Sequence, residues 1–377
     1  MIRLGIRNNL FYPGMLIISS LFRQIDSIIM KEAIGFEGIS LLLTLIMFFS
    51  EFISGLIFFK INNNFLSKYE KKNTEFEYMK IKLIQEEYEI QQPDNSFKII
   101  FLLFLISFYD FMEFEIDTYF LPKYYKISDS LVFRLRNLVT ISSSLLCYYL
   151  FKFPLYRHHK CSLLIIFICL ILIIVLEYLE NLERDFFLLL KVIAIIIMKH
   201  FFNSIKDVIE KYILEYDNVN CFKALMFEGL FGFILAFVDF IEGNPFDKIK
   251  DFFKENKNET IKIVGLLVCL IFYFLLSGAK NIYRIITNKL FSPITKGSAD
   301  TMLDPILIVL YFSDFKNNFH FIYNLILSFI MDFWVCVYNE LFVLYFCKME
   351  HDTYIAVSMR AKINEILNED NNSDSDD

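Results

Sequence analysis

The sequence lacks a surplus of positive charge, and its formal net charge is −7. A nucleic-acid partner is therefore not expected, because a phosphate-binding surface needs an excess of Lys and Arg. Neither GxxxxGK[ST] nor GxGxxG occurs, which excludes an ATP-driven pump built on a phosphate loop. The seven cysteines show no CxxC or other metal spacing and imply no disulfide framework. Cys161, Cys221 and Cys347 are placed for palmitoylation beside membrane spans, with packing cysteines the plainer reading. A cleavable signal peptide is not expected, since the first apolar stretch carries charges, lacks a small-residue cleavage site and runs into further apolar segments. Only one tryptophan stands against 45 phenylalanines and 21 tyrosines.

What is present is apolar sequence. AVILMFWYC make up 56% of 377 residues and the mean hydropathy is +0.47. That exceeds a soluble domain's share and suffices for about ten spans of ~20 residues each. Apolar windows fall near 10–30, 38–59, 98–117, 129–151, 161–179, 186–207, 222–241, 261–286, 297–313 and 319–347. The expected fold is an all-α polytopic membrane protein. Its expected parts are a first five-helix half over 1–179, a second over 186–347, and an acidic cytosolic tail over 348–377 that cannot bury enough apolar surface to fold. The polar loop 60–97 carries YMKIKLIQEEYEI, read as a short surface helix. With the N-terminus cytosolic, Lys and Arg outnumber their counterparts on the other face roughly two to one. This predicts both termini in the cytosol and an even number of spans. The sequons at Asn258 and Asn371 are expected to stay unglycosylated, the first because it abuts a span and the second because it is cytosolic.

Charges inside spans are costly and call for a cavity, a pathway or a partner. In span one, Ser19, Arg23 and Asp26 share a helical face, either as an Arg23–Asp26 pair or as a cavity wall. In span four, Arg136, Thr140 and Ser143 share a face, with Arg134 snorkelling outward while Arg136 points in. In span six, Lys199, Asn203, Lys206 and Glu210 form one polar stripe, while Lys191 only anchors the lumenal end. In span seven, Glu228 precedes Gly229 and Gly232 on a small-residue face suited to close packing. Around span nine, Lys289, Ser292 and Lys296 flank a Ser-Pro break, followed by Asp300, Asp304 and Pro305. Spans four and nine are both short and start in polar residues, five spans apart, as an inverted repeat requires. His158 and His159 form an adjacent pair expected not to face one metal together, so no metal and no cofactor are expected. Glu113, Glu115 and Asp117 read as a solvated rim. No nucleophile or catalytic constellation is matched, so no enzyme is expected.

The stretch Glu210 to Gly232, EKYILEYDNVNCFKALMFEGLFG, resembles the drug/metabolite transporter superfamily (EamA-like), in its nucleotide-sugar-transporter-like solute carrier family 35 branch. Glu210, Asn218, Val219, Lys223, Ala224 and the run Glu228 to Gly232 carry that likeness. Three more stretches are similar: RLRNLVTISSSLLCYYLFKFPLYRHHK; Lys289, Ser292, Thr295, Lys296 and Asp300; and Asn339-Glu340. Lys206 departs from the pattern where Gln is usual, and Pro305 is not part of it. The resemblance implies ten helices in two inverted five-helix repeats, a central cavity and alternating-access transport without ATP. It also implies a Golgi, endoplasmic reticulum or endosomal membrane rather than the plasma membrane. The substrate cavity is then expected to draw on Arg23, Asp26, Arg136, Thr140, Lys199, Asn203, Lys206, Glu228, Lys289, Ser292, Lys296 and Asp300. A surplus of cations in that set favours a small anionic metabolite as substrate. The expected partners are that solute, the lipid bilayer and, as one option, a second copy of the chain in a homodimer. The alternative is a non-transporting membrane scaffold working through its loop and tail.

Overall fold

The structure is a computed structural model. It describes residues 2–4, 11–30, 39–61, 96–121, 131–132, 134–180, 186–217, 219–243, 250, 252–254, 259–311 and 318–345, and the single residues 349, 353, 356 and 360. The expected surface helix in 60–97, most of the acidic tail, and both sequon asparagines lie outside the described residues.

Apart from one pair of three-residue strands, the described elements are helices. They are α1 (Phe11–Ile28), α2 (Ile39–Ile61), α3 (Ser96–Glu115), α4 (Leu138–Phe151), α5 (Arg157–Glu180), α6 (Phe186–Glu215) and α7 (Cys221–Glu242). Then follow α8 (Thr260–Leu290), α9 (Pro293–Thr301), α10 (Asp304–Tyr311) and α11 (Asn318–Tyr338). Strand β1 (Ile2–Leu4) pairs antiparallel with β2 (Phe342–Leu344).

Six of these helices (α2, α5, α6, α7, α8 and α11) are long and apolar enough to cross a bilayer. In α5 the mean hydropathy reaches 3.0. Their outward faces are apolar: α5 exposes Leu164, Phe167, Ile168, Ile171 and Val175, and only 22% of the apolar window of α8 is buried. In water such surfaces would drive aggregation; in lipid they cost nothing. The chain is a membrane-embedded, multi-pass helical protein.

Window nine is not one helix. It divides into α9 and α10, and Pro305 explains the break, since its ring cannot sit beside the carbonyl four residues back and it has no N–H to give. The Ser-Pro junction is a second break: α8 ends at Leu290 and α9 begins at Pro293. Window ten also runs too far, because α11 stops at Tyr338 and the apolar residues beyond it form β2.

The chain groups into two compact units. One comprises Met1–Gly14, Tyr119–Ser204 and Pro293–Asp377, the other Met15–Thr118 and Ile205–Ser292. In the second unit, α2, α7 and α8 meet along glycines. A Cβ on Gly55 would lie 2.5 Å from the Met226 nitrogen, and one on Gly229 would lie 2.7 Å from Phe52 Cα. One on Gly278 would lie 2.9 Å from Ser50 Oγ. The expectation that Gly229 and Gly232 allow close packing is met, with α2 as the partner: Gly232 faces the Phe48 ring. Beside this contact a core gathers Met30, Met47, Phe48, Ala236, Leu266 and Tyr273.

Candidate functional site

The glycine contacts of the second unit bring Glu51 of α2, Glu228 of α7 and Arg284 of α8 to one level of the helix bundle. Arg284 is 3% exposed and is encircled by carboxylates. Its Nη2 donates to Glu51 Oε1 and to Glu228 Oε2, both at 2.8 Å, and its Nη1 donates to Glu210 Oε2 at 3.0 Å. Asn288 Nδ2 adds a bond to Glu210 Oε2 at 3.1 Å and one to the Asp207 carbonyl at 2.9 Å. The Glu228 backbone carbonyl accepts from Ser107 Oγ of α3 at 2.9 Å, which ties α3 to the same level. Close by, Lys206 Nζ pairs with Asp110 at 2.6 Å and lies 4.0 Å from Glu113.

Of the expected cavity residues, Lys206 and Glu228 thus belong to this buried charge cluster. Arg23 and Asp26 of the same unit do not pair with each other: Arg23 donates to Met47 Sδ at 3.4 Å and sits 5.9 Å above the Tyr273 ring, while Asp26 accepts from the Cys269 thiol. The Lys289 carbonyl accepts from Lys211 Nζ at 2.9 Å, and the side chains of Lys289 and Ser292 are half-buried. Three central residues escaped the sequence expectation: Glu51, Asp110 and Arg284. Glu51 had a visible signal, a lone carboxylate in the run FFSEFISG; Arg284 lies near the end of the window 261–286, and α8 runs past it to Leu290.

The first unit holds a second polar region. At the start of α4, Asn137, Thr140 and Ser143 are fully buried, and neither the Asn137 amide nor the two hydroxyls find a hydrogen-bond partner among the described residues. Asn137 precedes the helix without capping it. Beside them Arg136, with a side chain 20% exposed, lies 3.5 Å from Asp304 of α10. The expected split of the two arginines is reversed: Arg134 is buried and held by Glu177 at 2.7 Å, while Arg136 is the more open of the pair. On α11, Asn324 and Ser328 continue the pattern of buried polar atoms without partners among the described residues.

Lys296 and Asp300 of α9 pair at 3.3 Å, and Lys296 also donates to Asn203 at 3.4 Å. Lys199 is buried at 7% exposure. Thr295 Oγ1 donates to Asn339 Oδ1 at 3.0 Å, and Asn339 Nδ2 donates to Ser298 Oγ at 2.9 Å. Two of the stretches that carry the family resemblance therefore touch. Lys206, Arg136, Lys296 and Arg284 each lie against at least one carboxylate.

The adjacent histidines depart from expectation. Their rings lie 3.9 Å apart, and with Glu340 they bring three potential ligand atoms within 4.8 Å of one another. His159 Nδ1, however, accepts the Tyr156 N–H at 3.2 Å, which places that neutral ring's own proton on Nε2. Two ligand atoms remain, fewer than the three or four of a zinc site. The group is better described as a His158–Glu340 contact at 3.4 Å.

The fold and these two regions define a class, a multi-pass helical membrane protein with buried polar side chains in its interior. No family model and no curated protein matches the chain. The resemblance to drug/metabolite transporters accordingly rests on the quoted motifs alone.

Proposed function

We propose that the chain is a secondary-active transporter of the solute carrier family 35 type, which moves a small polar metabolite by alternating access without ATP. The observation that carries this is the face of Asn137, Thr140 and Ser143. Each buried polar atom left without a partner costs about 1–3 kcal/mol. A helix meant only to pack would carry Leu, Val and Ala there. A polar solute supplies the missing partners, and Arg136, partly open beside them, is placed to meet an anionic group such as a phosphate.

Ten spans in two inverted five-helix repeats, with both termini in the cytosol of an endomembrane, complete the proposal. Pairing of Ile2–Leu4 with Phe342–Leu344 supports it, because two segments that share hydrogen bonds lie on one side of a bilayer and an even number of crossings joins them.

The test is a thermal-stability screen of the purified protein against nucleotides, nucleotide-sugars, phosphorylated metabolites and amino acids, followed by counterflow of the stabilising class in proteoliposomes. A ligand stabilises the state it binds. Saturable exchange that is lost in Thr140→Val supports the transporter. A folded protein that no class stabilises and that exchanges none of them is the scaffold instead.

A further inference from the structure

Around Arg284 the charges do not balance. Three glutamates bind one guanidinium, all four side chains are buried, and they come from four different helices. Glu51 and Glu228 go further and share a single donor nitrogen, Nη2. Nη2 has two hydrogens, one for each, so the two accepting oxygens flank a single nitrogen within about 6 Å of each other, and two buried carboxylates at that range do not both ionise at ordinary cost. Glu228 Oε1 meanwhile has no hydrogen-bond partner among the described residues.

Among the described residues, the surroundings do not supply the missing positive charge. From α3, Asp110 and Glu113 face the cluster with two more carboxylates, and Lys206 of α6 is engaged by both. Also on α6, Asp207 is buried, and Lys211 is spent on Glu215 and on the carbonyls of Lys289 and Phe291. On α8, half-buried Lys280 acts on Asp110. Asn288 contributes a neutral donor to Glu210.

We propose that Glu51 and Glu228 hold one proton between them, and that this proton is the coupling ion of the transport cycle, a reading that rests on the transport function proposed above. The proton enters from bulk water on one side and returns to bulk water on the other. When it leaves, the pair repels itself across Nη2, and α2 and α7 carry that repulsion one residue from the close backbone approach of Gly229 and Phe52. A solute gradient and a proton gradient then act on the same packed helices.

The test uses the full chain in lipid nanodiscs, with isotope-labelled glutamate, and infrared difference spectra between neutral and alkaline buffer. The expected result is the carbonyl stretch of a protonated glutamic acid at neutral pH, shifted by the label and lost on alkalinisation. Glu51→Gln and Glu228→Gln each abolish the band, because the remaining carboxylate then ionises against Arg284. Glu215→Gln leaves it in place. A wild-type spectrum without the band overturns the proton site whatever the variants do. Coupling is read separately, by adding the pooled solutes of the stability screen to weakly buffered protein. Wild type exchanges a proton with the medium and Glu228→Gln does not. Solutes that stabilise the protein but move no proton overturn the coupling. Absence of any stabilising or transported solute, with the band intact, overturns the transport reading and the coupling while the proton site stands.

Discussion

Gly229 of α7 rests against Phe52 of α2 so closely that a methyl group on it would lie 2.7 Å from the Phe52 Cα. Backbone, rather than a flexible side chain, occupies the space. Gly229→Ala therefore pushes α2 and α7 apart, and overpacking of this kind costs about 1–3 kcal/mol. Thermal unfolding in detergent is expected to fall, and Gly14→Ala, where nothing lies within 4 Å, to leave it unchanged. Equal melting of the two variants would show that the contact is not tight.

Arg284→Met removes the one cation that three buried glutamates share. Breaking a buried ion pair by deleting one partner costs about 3–5 kcal/mol, since the other charge stays behind. The variant is expected to unfold at markedly lower temperature, and Arg284→Met combined with Glu51→Gln and Glu228→Gln to recover part of the loss. A single variant as stable as wild type would mean that the glutamates do not need the guanidinium.

Thr140→Val is expected to behave in the opposite way. Its hydroxyl is buried and has no partner among the described residues, so removing it deletes no bond to them. Stability stays level or rises by up to about 1 kcal/mol, while solute exchange falls. Ser144→Ala is the contrast, because Ser144 Oγ donates to the Thr140 carbonyl at 2.6 Å. Loss of stability in Thr140→Val would assign its hydroxyl a structural partner.

Asn339→Ala severs bonds to Thr295, Ser298 and the Val335 carbonyl, and with them the tie between α9 and the end of α11. A double-mutant cycle with Thr295→Val is expected to give a coupling of about 0.5–3 kcal/mol. Strict additivity would show the bond to carry no energy.

Composition alone revealed a membrane protein, because apolar content on this scale has no other use. The span-six stripe was legible for a similar reason: Lys199, Lys206 and Glu210 at helical spacing in an apolar run have to be buried in protein, and all three are. Their partners were not legible. Which carboxylate meets Lys206 depends on how α3 packs against its neighbours, and no local pattern in SFYDFMEF encodes that choice. Arg284 was not singled out because it lies near the end of an apolar window, where positive charge ordinarily marks the membrane edge. The division of window nine could have been foreseen from Pro305; the strand after α11 could not, since FVL continues an apolar run and becomes β2 only by finding Ile2–Leu4.

That strand pair sets an order of events during synthesis. Ile2–Leu4 leaves the ribosome before any of the described helices, yet its partner, Phe342–Leu344, emerges only after α11 has been made. Because chains are made from the N-terminus onward, the earlier strand must wait for its partner while all of those helices are made. The two-stranded clasp therefore closes after the helices between its strands, and it closes only in a chain whose helices have all been threaded with the correct parity. It acts as a checkpoint on assembly, written into three residues on either side of those helices.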